Sequence, residues 1–161
     1  MRQADLDDLR SVTTDQELLT GLLRFASTMG FPLGAVVYRR GRIGANAIIN
    51  SVSNTPDAWR ERSKDMTLAV QDPVFTRLQN SREPFFYDAD FYAKAGAGAL
   101  YEEGSPFGYV NGVSASLHLP GDRAVFWGFD SPDRLPNNEK SRMQLLSTTQ
   151  LVGVFAASAV E

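Results

Sequence analysis

The chain has 161 residues, of which 43% are hydrophobic, 22% charged and 11% aromatic, enough for one domain with a sizeable core and far from disordered or fibrous compositions. A net charge of −3 disfavours a phosphate backbone as partner, and the one short basic run, Arg39-Arg40-Gly41-Arg42, lies between two apolar stretches where a hairpin turn accounts for it. No cysteine is present, which excludes disulfides, thiolate nucleophiles and cysteine-ligated metals, and no apolar segment is long enough to direct export or span a membrane. The expectation is a single domain over residues 1–161, located in the cytoplasm.

The first clear helix starts at Thr14, where Thr14-Asp15-Gln16-Glu17 has the form of a capping box and Leu18, Leu19, Leu22, Leu23 and Phe25 follow at helical spacing; it stops near Gly30. Two β-like runs, Leu33 to Tyr38 and Ile43 to Val52, flank the basic turn and predict an antiparallel hairpin. Between Asn54 and Ser81 the pattern predicts two short helices. Asn54 or Thr55 caps the first, ahead of Pro56, and a break at Asp72-Pro73 puts Asp72 at the N-cap of the second.

From Glu83 to Gly108 aromatic residues (Phe85, Phe86, Tyr87, Phe91, Tyr92) precede a small-residue stretch, Ala93-Lys94-Ala95-Gly96-Ala97-Gly98-Ala99, which reads as a mobile loop with a short helix, a lid over a pocket. Val110 to Leu119 and Ala124 to Phe129 form a second hairpin across Pro120-Gly121-Asp122-Arg123. A long helix over Asn138 to Val160 closes the chain, with Met143, Leu145, Leu146, Leu151, Val152, Val154 and Phe155 as its apolar positions. This order predicts an α+β fold: an α-β-α sandwich whose central, mainly antiparallel sheet of about five strands is covered by helices on both faces, leaving an apolar cavity for a small ligand.

Catalytic chemistry finds little support. The single imidazole, His118, sits in a strand-like alternation with no advertised nucleophile or orienting carboxylate, and reads as structural. Gly96-Ala97-Gly98 lacks the Lys-Ser/Thr of a phosphate loop, and no alternating acidic loop is available for a cation, so neither metal nor cofactor is expected. Two polar anchors stand out among the aromatics. Trp59 offers a donor-only indole N–H on a large apolar body, and Asp72 offers acceptors only, so together they could read a ligand holding both a carbonyl and an amide N–H. The plainer alternatives are a core anchor for Trp59 and a helix cap for Asp72.

Trp59, then Asp72-Pro73-Val74 thirteen residues on, then Tyr87, then Phe107-Gly108-Tyr109-Val110-Asn111-Gly112 ahead of a strand resemble the autoinducer-binding domain of LuxR-type quorum-sensing transcriptional regulators, over nearly the whole chain. The resemblance implies that Trp59 hydrogen-bonds a lactone carbonyl, that Asp72 accepts the acyl amide N–H of an acyl-homoserine lactone, and that Tyr87 stands where a tryptophan packs on the lactone. Phe107, Gly112, Ser114 and Phe126 complete the expected lining. Thr55 replaces a common aromatic, Ser63 a tyrosine, and Gly128 a hydroxyl residue, each a loss of bulk or of a hydrogen-bonding group. Two explanations compete: the pocket is enlarged for another signal, or Trp127 or Phe126 fills it.

A full regulator of that family ends in a helix-turn-helix, and no recognition helix is expected here, so no direct DNA contact is assigned to this segment. It reads either as the sensory portion of such a regulator or as a natural single-domain relative. A homodimer, or a heterodimer with a related regulator, is expected through the long last helix. The rival readings are an interaction module acting as an anti-activator by heterodimerisation, and a GAF- or PAS-like sensor of another metabolite.

Overall fold

A computed structural model describes residues 1–63 and 71–159, with the side chains of Arg62 and Ser63 outside that description. Helix α1 (Gln3–Arg10) opens the chain, a helix that the sequence pattern does not announce because only Leu6 and Leu9 are apolar and buried in it. It is started by Arg2, whose backbone N–H donates to Asp5 Oδ2 at 3.0 Å while its guanidinium holds the same carboxylate. Helix α2 (Asp15–Thr28) begins at Thr14, whose Oγ1 accepts from the Glu17 backbone N–H at 3.1 Å; Glu17 in turn accepts from the Thr13 N–H at 2.9 Å, one residue earlier than a standard capping box.

Strands β1 (Leu33–Arg40) and β2 (Ile48–Ser53) make the first hairpin. The second strand starts later than expected: residues 41–47 form the connection, where Gly41 and Gly44 take positive φ of 85° and 83° and the Asn46 side chain accepts from the Arg42 N–H at 3.0 Å. Helices α3 (Asp57–Ser63) and α4 (Pro73–Asn80) follow. The stretch expected as a loop with a short helix is instead strand β3 (Phe85–Tyr87), helices α5 (Ala89–Lys94) and α6 (Gly98–Gly104), and a 3-10 turn, Ser105–Phe107. Strands β4 (Asn111–Leu119) and β5 (Arg123–Ser131) and helix α7 (Glu139–Ala157), capped by Asn138, complete the chain.

Among the described residues the five strands form one antiparallel sheet in the order β2-β1-β5-β4-β3, covered by helices on both faces, the α+β sandwich expected. Side chains alternate between the faces. Val36, Val113, Ala115, Val125, Trp127 and Phe129 pack with Leu18, Leu22, Leu145 and Val152 from α2 and α7, and α1 lies over that layer. On the opposite face Phe85, Tyr87, Ala124 and Phe126 pack with Val74 and Leu78 of α4 and with Phe91 and Tyr92 of α5.

Trp127 belongs to the first face and therefore does not fill a pocket on the second. Its indole lies where a Cβ at Gly153 of α7 would stand, and its Nε1–H donates to the Thr149 carbonyl at 2.8 Å. Phe126, its neighbour, points the other way. No helix among the described residues is long and apolar enough to cross a membrane.

Because the Trp127 ring occupies that position, Gly153→Ala must displace either the ring or the helix. Overpacking of this kind costs about 1–3 kcal/mol, so the denaturant midpoint should fall clearly below that of the parent, and an unchanged midpoint would show that α7 has room to move.

Candidate ligand-binding site

The second face carries the polar groups. Asp72 caps α4: its Oδ1 accepts the Val74 N–H at 2.9 Å, and Pro73 fills the first helical position, where no N–H is missed. The same oxygen accepts the hydroxyl of Tyr92 at 3.0 Å. Helix capping and a site-facing carboxylate are thus combined in one residue. Burial raises the Asp72 carboxyl above its ordinary range, and the bonds from Val74 and Tyr92 offset only some of that rise.

Tyr87, Gly112 and Asp130 stand abreast on three adjacent strands, Tyr87 opposite Gly112 and Gly112 opposite Asp130. The Tyr87 ring lies in the space that a Cβ at Gly112 would need, so it crosses β4 and its hydroxyl donates to Asp130 Oδ1 at 2.7 Å. A glycine is required there for close approach. Asp130 is 8% exposed. Burial pushes its carboxyl up to about 7, the nearby charge of Asp72 adds to the rise, and the Tyr87 hydroxyl opposes it. The Tyr87 phenol is itself raised well above its ordinary value, by burial first and by Asp130 second.

On β5, Gly128 makes room in a similar way. A Cβ there would collide with Ser114 Oγ, so the lost hydroxyl side chain gives its space to the Ser114 hydroxyl on the paired strand, where Ser114 is 3% exposed. Phe126 is buried on the same face, edge-on to Phe75 at 5.6 Å. Thr55 is also buried, and its Oγ1 is spent on Ser53 Oγ at 2.8 Å and on the Tyr109 hydroxyl at 2.7 Å. Trp59 forms an aromatic wall with Phe107 (centroids 5.5 Å) and Tyr109 (6.0 Å), and its Nε1–H has no hydrogen-bond partner among the described residues.

The link between this wall and the carboxylates runs through α6, where Gly104 abuts the Trp59 ring and Tyr101 packs on Tyr92 at 5.5 Å. The side chain of Ser63 lies outside the described residues. Of the expected set, Asp72, Tyr87, Gly112, Ser114, Phe126 and Gly128 share the sheet face, while Trp59, Phe107 and Thr55 form its flank.

Sequence reasoning passed over Asp130, Tyr92 and Tyr109. A signal existed for the first: in Phe126-Trp127-Gly128-Phe129-Asp130 the carboxylate has the parity of Phe126 and Gly128, so it must share their face. An open groove of about 870 Å³ lies elsewhere, between α1, α2 and α7, and is lined by Leu9, Phe25, Met29 and Leu145 with scattered surface polar residues. The sheet face is preferred as the site because its polar groups are buried and convergent. His118, by contrast, is tied through Nε2 to the carbonyls of Leu78 and Ser81 at 3.1 Å, a structural post between β4 and the end of α4.

With its carboxyl raised from 3.8 to about 7, Asp130 holds a proton in the folded state that the unfolded chain has released over that interval. Stability from this residue is therefore complete at low pH and declines as pH rises towards 7. Asp130→Asn keeps an oxygen for Tyr87 and cannot ionise, so its melting temperature should gain on the parent's as pH is raised from about 5 to about 8. Parallel curves would show that Asp130 titrates normally.

The autoinducer-binding domain family matches residues 14–160. Among solved structures the fold is similar to Escherichia coli SdiA (TM-score 0.81, 19% identity, 98% of this chain and 65% of that one) and to CepR2 from Burkholderia cenocepacia, described as an N-acylhomoserine lactone dependent LuxR family transcription factor (0.80, 18%, 95% and 88%). SdiA has also been solved in complex with octanoyl-rac-glycerol, at 0.81, 19% identity, and coverage of 98% and 64%. The chain thus spans just under two thirds of the length of SdiA, and at these identities the likeness is one of fold. A comparison with curated proteins returns no match. With residues 14–160 matched and the sheet and its covering helices in place, the chain belongs to the autoinducer-binding domain family.

Proposed function

We propose that the sheet face between β3–β5 and helices α3 to α6 binds a small amphiphilic signal, an acyl-homoserine lactone or a related molecule, and that the domain acts as the sensory portion of a transcriptional regulator rather than as an enzyme. One observation carries this reading: Asp72 is a largely buried, acceptor-only carboxylate that holds the start of α4 and looks onto the sheet face. An amide N–H placed there would replace or join the Tyr92 hydroxyl. The Trp59 Nε1–H, without a partner among the described residues, supplies the donor for a carbonyl, and Phe126, Tyr87 and Phe107 supply apolar surface. Thr55, Ser114, Gly112 and Gly128 shape the site's walls more than they bind: the Thr55 hydroxyl is paired with Tyr109, the Ser114 hydroxyl fills the space over Gly128, and the Tyr87 ring fills that over Gly112. Neither metal nor cofactor is assigned a role.

The partner surface is assigned to α7. Met143 and Leu151 are 56% and 39% exposed and lie two turns apart on its outer side, with the small Ser147 between them. A second copy, or a related regulator in the manner of an anti-activator, would cover this stripe. DNA contact falls to another segment or partner, and the work is assigned to the cytoplasm, where a regulator's target lies.

A panel of acyl-homoserine lactones and monoacylglycerols of graded chain length should contain at least one member that raises the melting temperature, by mass action on the folded state. Asp72→Ala should then weaken that ligand by about tenfold or more, the loss of a charge-assisted hydrogen bond, with the far-ultraviolet dichroism of the fold retained. Unchanged affinity would remove Asp72 from the site, and a flat panel would count against the ligand class. For the partner surface, Met143→Glu with Leu151→Glu should shift the mass by light scattering from dimer to monomer; a parent that is already monomeric refutes the assignment.

A further inference from the structure

The sheet face holds more acceptors than a lactone uses. Asp130 is 8% exposed, its Oδ1 takes the Tyr87 hydroxyl at 2.7 Å, and its Oδ2 accepts no hydrogen bond among the described residues. Asp72 lies near enough for its charge to bear on Asp130, and Tyr92 feels both carboxylates. Neither carboxylate is drawn down by an arginine or lysine among the described residues. A buried carboxylate without a cation needs hydrogen-bond donors.

Most hydroxyl donors on this face are already committed. Tyr87 gives its proton to Asp130, Tyr92 gives its own to Asp72, and the Thr55 and Tyr109 hydroxyls are paired with each other. Among the described residues of the site, the Trp59 Nε1–H and, at its edge on α6, the Tyr101 hydroxyl donate no hydrogen bond. A head group rich in carbonyl and ester oxygens therefore meets few donors and, at pH above about 7 where Asp130 is ionised, an extra carboxylate. A head group with two donors meets one acceptor for each.

We propose that Asp130 is a specificity-determining residue of the site, and that the site selects amphiphiles whose polar head carries a second hydrogen-bond donor, a hydroxyl or an amine, beyond the one that Asp72 accepts. The inference rests on the sheet face being the ligand site. Its geometric basis is the row Tyr87, Gly112, Asp130: with no side chain on Gly112, the carboxylate is held in a fixed direction by the phenol while its second oxygen stays open.

A matched pair isolates the second donor. N-octanoylethanolamine has an amide N–H and a hydroxyl, and its O-methyl ether has the amide N–H alone. Calorimetric titration of the whole chain at about pH 8, where Asp130 is mainly ionised, should show the alcohol binding about tenfold or more tightly than the ether, the usual consequence of leaving a buried carboxylate without its donor. Replacing the hydroxyl by an amine, in N-octanoylethylenediamine, should retain the preference over the ether. In Asp130→Asn the amide keeps an oxygen for Tyr87 and turns an N–H toward the ligand, so the alcohol-to-ether ratio should fall to near one. In Tyr87→Phe the carboxylate loses its internal donor, and the ratio should rise. A merely structural Asp130 would weaken both ligands together and leave the ratio alone.

Equal binding of alcohol and ether by the parent, or an Asp130→Asn ratio equal to the parent's, overturns the inference while leaving the ligand site standing. Failure of both probes, and of every lactone tested beside them, to bind overturns the site and the inference together. Should Asp130→Asn not fold, the direction of the Tyr87→Phe ratio decides, a rise supporting the inference and a fall or no change overturning it.

Discussion

The bond from Tyr87 across Gly112 to Asp130 is the constraint on which the site's layout rests. Strand β3 is three residues long and lies at the edge of the sheet, too short to hold its register by backbone pairing alone. The phenol reaches over one strand and anchors on the next, pinning β3 against both. Asp88 follows directly and caps α5 through the Phe91 N–H at 3.0 Å, so the anchored strand also sets where Tyr92 stands. Tyr92 then reaches Asp72, the residue that starts α4. One buried hydrogen bond thus positions an edge strand, two helices and both carboxylates.

The two faces of the sheet divide the tasks. On the side of α1, α2 and α7 the contacts are apolar and tight: Val113, Ala115, Phe129 and Val152 have no measurable exposure, and Trp127 is accommodated by the bare backbone of Gly153. Such packing supplies stability without chemical discrimination. The other face accepts the cost of burying two carboxylates and several phenols. Polar groups held in this way cost folding energy unless satisfied, and their presence in one convergent cluster marks a surface shaped for something other than folding.

Much of the scaffold is legible from the amino-acid order, because it depends on local rules. The Thr14 and Asp72-Pro73 caps, the two hairpins and the long last helix follow from capping and periodicity. What escaped depends on contacts between distant segments. Helix α1 has only two buried leucines, too few for a periodic signal, and is secured by Arg2–Asp5 bonding and by packing on α7. Alternation says that Phe126 and Trp127 face opposite ways but not which of them packs on α7; Gly153, lying 26 residues further on in that helix, decides it. The stretch from Glu83 to Gly108 looked loop-like because its small residues hide two short helices, and its strand pairs only with β4. Asp130 was passed over for the same reason: its partner is 43 residues away, and nothing nearby announces the bond. For the candidate site, spacing picked out Trp59 and Asp72, while the departures at Thr55 and Gly128 depend on distant partners: the Thr55 hydroxyl pairs with Tyr109, and Ser114 fills the space over Gly128.

The chain has two tryptophans, and the fold sets one on each side of the sheet. Trp127 is 2% exposed and bonded to the backbone of α7, whereas Trp59 is only partly covered and its indole N–H, beside the polar face, has no partner among the described residues. Their light emission therefore comes from two unlike surroundings, a dry, rigid one and a half-wet one. Quenchers dissolved in water reach the second long before the first. A single optical channel thus carries two separable records, one of events on the open face and one of the integrity of the sealed face, with no label added.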